Sequence, residues 1–194
     1  MTPGIGLILL LPLLGLSSME EQVQTTSAAQ RVLLWPLGER WQLAEDLRSW
    51  FNTEAGLGEP GTGRVFLAAW ESGKAPDTTD VLVVVKFDGR CEAGFEPSVE
   101  NSTTLGSVYL SDGHVSPHIQ VNCDAIVRAI HPRVASLTGS RQRQLLARAI
   151  LRVVLHELRH IQRQSAIHQQ HGIHKARLSA DDLTCEWADR KRVQ

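Results

Sequence analysis

Residues 146–165 read LARAILRVVLHELRHIQRQS, and the fold is best read outward from them. Leu146, Ala149, Ile150, Val153, Glu157, His160 and Ile161 recur three and four residues apart, which predicts a long amphipathic helix from about Ser140 to Gln164. The polar end of its inner face holds His156-Glu157-Leu158-Arg159-His160, the pattern H-E-x-x-H. Histidines at i and i+4 stand one turn apart on one side of a helix, so both can aim a ring nitrogen at a single metal about 2 Å away. A glutamate beside them is placed to take a proton from water held at that metal. The motif continues an apolar stripe and is therefore expected to face the protein. Burying two imidazoles and a carboxylate without partners is costly, and a metal removes that cost. The expectation is a Zn2+ site; the plainer alternative is a His/Glu cluster satisfied by the protein itself.

A catalytic zinc usually has three protein ligands and one open position. Five of the eight histidines lie between His156 and His174, so His168, His171 and His174 are all candidates for the third. On an unbroken helix His168 would stand about 80° round the axis and about 12 Å along it from His160, which is too far. The chain is thus expected to turn back near Ser165, with His168 as first choice and His171 next. Asp181, Asp182 and Glu186 are the carboxylate alternatives. The two aspartates are equally well explained as first-turn residues under a Ser179 N-cap, and Glu186 as a solvated helix residue. His171 and His174 are also candidates for auxiliary roles, as a substitute ligand or an oxyanion donor. Arg148, Arg152, Arg159 and Arg163 recur at helical spacing and predict a solvated face of the long helix.

Upstream, short β-rich runs bounded by Gly, Pro and Asp predict strands at Arg31 to Trp35, Val65 to Trp70, Val81 to Phe87, Leu105 to Leu110 and His118 to Val121. Trp41, Leu43, Ala44, Leu47, Trp50 and Phe51 predict an amphipathic helix over 39–52. Asp124 to Ile130 predicts one or two helical turns ending at Pro132, and Ser179 opens a final helix to about Lys191. The fold class is α+β: a mixed sheet of about five strands with packed helices, in one domain over 31–194. The tryptophans Trp35, Trp41, Trp50, Trp70 and Trp187 are expected to be core anchors.

A 194-residue chain with a formal net charge of -1 has no basic excess to neutralise phosphates, so nucleic acid is not an expected partner. The apolar run Ile5 to Leu16 is too short to span a bilayer and fits a signal peptide over 1–18, followed by a flexible polar segment over 19–30. Secreted or periplasmic localisation follows, with no stable membrane association after cleavage. In an exported chain two of the three cysteines should pair. Cys91 and Cys123 each end a predicted strand and are the expected disulfide, leaving Cys185 free. Asn101-Ser102-Thr103 is a glycosylation sequon, meaningful only in a eukaryotic secretory pathway.

The stretch LARAILRVVLHELRHIQRQSAIHQQHGIHKARLSADDL resembles the active-site segment of small secreted zincin-type metallopeptidases of bacteria. Phe87 to Cys91 and Val121 to Asp124 are similar to that group as well, so the resemblance covers about the C-terminal two-thirds. It implies His156, His160 and His168 as zinc ligands, Glu157 as general base, and Gly172 to Ala176 as the stretch beneath the metal. The chain departs from metzincins proper, whose pattern is H-E-x-x-H-x-x-G-x-x-H. Arg163 stands where their glycine would be, the third histidine comes two residues later, the mature chain has at most Met19, far upstream, and His174 sits where the methionine beneath the metal is expected.

The expected function is a secreted zinc metallopeptidase. Its substrate is a peptide or protein hydrolysed by zinc-activated water, Glu157 moving the proton to the leaving amine. Leu105 to Leu110 is the candidate edge strand for the substrate backbone, with His114 and His118 near its end. The alternative is a non-catalytic, zinc-stabilised secreted binding module.

Overall fold

The computed structural model describes residues 31–37, 49, 64–67, 81–92 and 102–186. The expected leader, the segment 19–30, the helix over 39–52 apart from Ser49, residue 101 of the sequon and everything after 186 lie outside them, as do all the tryptophan side chains.

The protein is a mixed α+β fold. Its strands are β1 (Arg31–Leu37), β2 (Arg64–Leu67), β3 (Val81–Asp88), β4 (Gly106–Ser111) and β5 (His114–Asn122). The sheet runs β2-β1-β3-β5-β4, parallel as far as β5, with β4 antiparallel to β5 at the edge. The last two form a hairpin whose turn, at Asp112 and Gly113, has positive φ at both residues, as two-residue hairpin turns require.

Alternation sets the inner face of the sheet: Val83 and Val85 on β3, and Val115, Ile119 and Val121 on β5, are buried. Three helices follow: α1 (Cys123–Val134), α2 (Gly139–Arg163) and α3 (Ala180–Thr184). Asn122 caps α1 by accepting from the Ala125 amide. That helix passes beyond the expected stop, because Pro132 lies in its last turn, where the Ala135 amide still closes onto His131 O. The last helix, opened by a Ser179–Asp182 capping box, is a short piece ending at Thr184.

The long helix α2 packs on β4 and β5 and is flanked by α1 and α3. Every residue from Leu145 to Leu158 is buried, so it has no solvated face along that length. This corrects the expectation for the arginines. Arg148 and Arg152 are 4% and 0% exposed, whereas Arg159 is half-buried and Arg163 exposed. Helical spacing places the four on one side of α2, but what covers that side is α3. Arg148 Nη1 donates to Thr184 O at 3.0 Å, and Arg152 Nη1 to Asp182 O at 2.6 Å. Arg152 also donates to Cys185 O and contacts its sulfur at 3.4 Å. The guanidinium groups thus satisfy the carbonyls at the end of α3, where the helix dipole favours a cation.

Cys91 and Cys123 form a disulfide, with Cα atoms 5.0 Å apart, tying the end of β3 to the first turn of α1. Gly89 precedes it at φ 78, pressed so close to the Asp124 carboxylate that a Cβ would stand 2.6 Å from it. Cys185 is a free thiol. No helix among the described residues is long and apolar enough to cross a membrane.

Candidate metal centre

The H-E-x-x-H segment occupies the last two turns of α2, which ends at Arg163. Gln164 then takes the left-handed conformation, φ 47 and ψ 42, and the chain doubles back through Ser165 and His168 to a 3-10 turn at Gly172–His174. The reversal brings His168 to the pair on the helix. Ring centroids are 4.9 Å apart for His156 and His160, 5.1 Å for His156 and His168, and 4.8 Å for His160 and His168, a nearly equilateral triangle. One ring nitrogen from each lies within 4.8 Å of the other two.

Hydrogen bonding decides which nitrogens are offered. His156 Nδ1 is 2.6 Å from Ile173 O, and His160 Nδ1 is 2.7 Å from Ser165 O. A carbonyl oxygen only accepts, so each Nδ1 carries the hydrogen, and in its neutral tautomer each ring turns a bare Nε2 lone pair inward. These two Nε2 atoms stand 3.2 Å apart. In that tautomer the contact is lone pair against lone pair, and a cation relieves it. Two nitrogens bound tetrahedrally at about 2.0–2.1 Å are themselves separated by about 3.3 Å, so the spacing fits a metal ion. Backbone carbonyls that lock ring orientation are the usual outer support of metal-bound histidine. The three histidines could therefore hold a metal ion.

For His156 and His168, electrostatics favour the neutral, ligating form. Burial lowers the pKa of His156 to about 4 against the pull of the Ile173 carbonyl, and the imidazoles of His160, His168 and His174 add to the lowering. His168 is exposed, yet what desolvation it undergoes, together with His160, holds it below the usual range. Burial pushes the Glu157 carboxyl up to about 7.

The trio lies along a groove of about 940 Å³ walled by β4, α1 and the returning segment, with Glu157, Gly106 and Val108 among its lining residues. Gly106, first residue of β4, touches the motif directly. A Cβ there would stand 2.6 Å from Val153 Cγ1 and 3.0 Å from Glu157 Oε1, so only glycine lets the edge strand lie this close to the helix.

Other candidates are placed elsewhere. His171 is exposed and outside the cluster. His174 is buried, its ring centroid 6.3 Å from that of His156, and it lines a small cavity with Arg159 and Arg163 rather than the groove. Asp181 pairs with Arg133, Asp182 with Lys175 at 2.6 Å, and Glu186 with Arg141 at 3.5 Å. His114 and His118 belong to β5, are exposed, and do not line the groove; His118 Nδ1 instead meets Ser116 Oγ at 2.6 Å. Sequence reasoning missed the carbonyls of Ser165 and Ile173, which have no side-chain signature, and the contact of Gly106, which no local pattern announces.

Comparison with protein-family models, with curated proteins and with solved structures finds no match for this chain.

Proposed function

We propose that the protein is an exported zinc-dependent peptidase with a zincin-like fold. The observation that carries this reading is the convergence of three imidazole nitrogens and the Glu157 carboxylate on one open groove beside an edge strand. His156, His160 and His168 are the ligands, and a three-histidine set with an open fourth side suits zinc. Zinc bound there supplies Lewis acidity to the reacting carbonyl and to water. The groove edge of β4 offers main-chain groups to an extended peptide, the substrate class we assign. Glu157 accepts a proton from the attacking water at a carboxylate oxygen and returns it to the departing amine nitrogen. Its burial keeps bulk water from competing for that proton. The Cys91–Cys123 disulfide is consistent with an extracellular setting.

The test is zinc per chain together with hydrolysis of a mixed peptide library, in the wild type, His168→Ala and Glu157→Gln. We expect about one zinc, strongly weakened in His168→Ala but kept in Glu157→Gln, with hydrolysis lost in both. Zinc without hydrolysis in any form would identify a metal-stabilised binding module instead. Unchanged hydrolysis in Glu157→Gln rejects the assigned base.

A further inference from the structure

Gln164 connects the metal centre to the sheet in a way that neither the H-E-x-x-H pattern nor the triangle of histidines requires. It is the residue just past α2, and the return of His168 begins with its left-handed backbone. That conformation is unfavourable for a residue bearing a Cβ, and Gly or Asn is the usual occupant. The side chain explains what holds it. Gln164 Oε1 accepts from Val115 N at 3.0 Å, and Gln164 Nε2 donates to Val115 O at 3.1 Å. The amide thus meets both main-chain groups of one strand residue, as a neighbouring strand would. Nε2 also donates to Ile161 O at 2.8 Å, in the last turn of α2.

Val115 is the second residue of β5, directly after the hairpin turn, and is 4% exposed. One side chain therefore joins the hairpin to the helix end. On the other side, Ser165 N donates to His160 O at 3.2 Å, while Ser165 O accepts from His160 Nδ1 at 2.7 Å. The residue adjoining Gln164 is thus the one that sets the tautomer of His160, and His168 follows three residues later.

We propose that Gln164 is a positioning residue for divalent-metal binding: its amide, clamped on Val115, holds the left-handed turn that presents His160 and returns His168 to the site. The inference rests on the reading of the three histidines as a metal centre, and not on peptidase activity.

Three variants separate the amide from the backbone conformation. Gln164→Gly makes the turn easy and removes the clamp, whereas Gln164→Ala removes the clamp and leaves the turn unfavourable. Gln164→Asn keeps an amide and tolerates the left-handed region but is one methylene too short to reach Val115. Zinc affinity is measured by competition with a chromophoric chelator. Site geometry is read from the visible spectrum of the Co2+-substituted chain, and folding from the thermal midpoint of the metal-free chain. We expect all three variants to lose roughly 10–100-fold in zinc affinity, the range typical when a ligand's hydrogen-bonded support is removed. Their cobalt spectra should change even where the metal-free midpoint does not. Wild-type affinity and spectrum in Gln164→Gly overturn the proposal, because the turn alone would then suffice. Should the glycine variant fail to fold, the same result in Gln164→Asn overturns it equally. A wild-type chain that takes up neither zinc nor cobalt refutes the metal centre itself, and the positioning role with it.

Discussion

Replacing Gly106 with alanine adds one methyl group at the point where the edge strand meets the helix that carries His156, Glu157 and His160. The backbone at Gly106 lies outside the left-handed region, so the substitution tests space and not conformation. The new Cβ would be 2.6 Å from Val153 Cγ1, 3.0 Å from Glu157 Oε1 and 3.2 Å from Glu157 Cγ. Val153 is 1% exposed and enclosed by core residues, so it cannot swing aside; either the strand lifts or Glu157 is displaced. Overpacking of this kind costs about 1–3 kcal/mol. For a domain of this size that lowers the thermal midpoint by about 2–12 °C. The assay is urea unfolding of metal-free protein, run as a cycle with Val153→Ala. The valine change alone removes two buried carbons and should cost about 2 kcal/mol. In the double variant the alanine at 106 finds room, and its own cost should fall by at least half, a coupling of about 1 kcal/mol. Under the proposed function, Gly106→Ala also loses more hydrolysis than zinc, since the atom it crowds belongs to Glu157 and not to a histidine. A cost below about 0.5 kcal/mol with an additive cycle would refute the close contact and with it the need for glycine.

Arg152→Met keeps the bulk of the side chain but strands the carbonyls of Asp182 and Cys185, and should destabilise by about 2–4 kcal/mol in urea unfolding. Hydrogen exchange at Leu183 to Cys185 should rise first; unchanged protection there would mean the arginine does not hold α3. Opening the Cys91–Cys123 bridge by double Ser substitution should cost about 3–4 kcal/mol, from the 32-residue separation it closes, and an equal midpoint with and without it would contradict that. For Asp182, burial tends to raise the pKa, but hydrogen bonds from Lys175 and Ser179 outweigh it and hold the carboxyl below its usual range. A carboxyl depressed in the folded state stabilises above its unfolded pKa, and the contribution disappears as pH falls through the folded value. Asp182→Asn should therefore be less stable than wild type at pH 7, and the gap should close below about pH 4. A gap independent of pH would show that the ion pair contributes nothing.

Local periodicity was enough for α2. An apolar repeat of three and four fixes a helix and, on it, the shared face of His156, Glu157 and His160, because one turn of helix relates these positions whatever surrounds them. The Ser179 cap was legible for the same reason: cap chemistry acts within a few residues. The pairing of Cys91 with Cys123 was inferred from strand ends that the sheet then brings together.

Tertiary structure decided the rest. The same helical spacing that unites the histidines also unites Arg148 and Arg152, yet it cannot say whether water or α3 covers them, and α3 does. Among His168, His171 and His174 sequence distance ranked candidates, but the left-handed turn at Gln164 chose which ring returns to the helix. That turn is held by Val115, 49 residues away, and so has no local signature. Contacts within one turn of helix are written in the spacing of residues, whereas those that complete this site join segments far apart in the chain and exist only once the sheet and helices have packed.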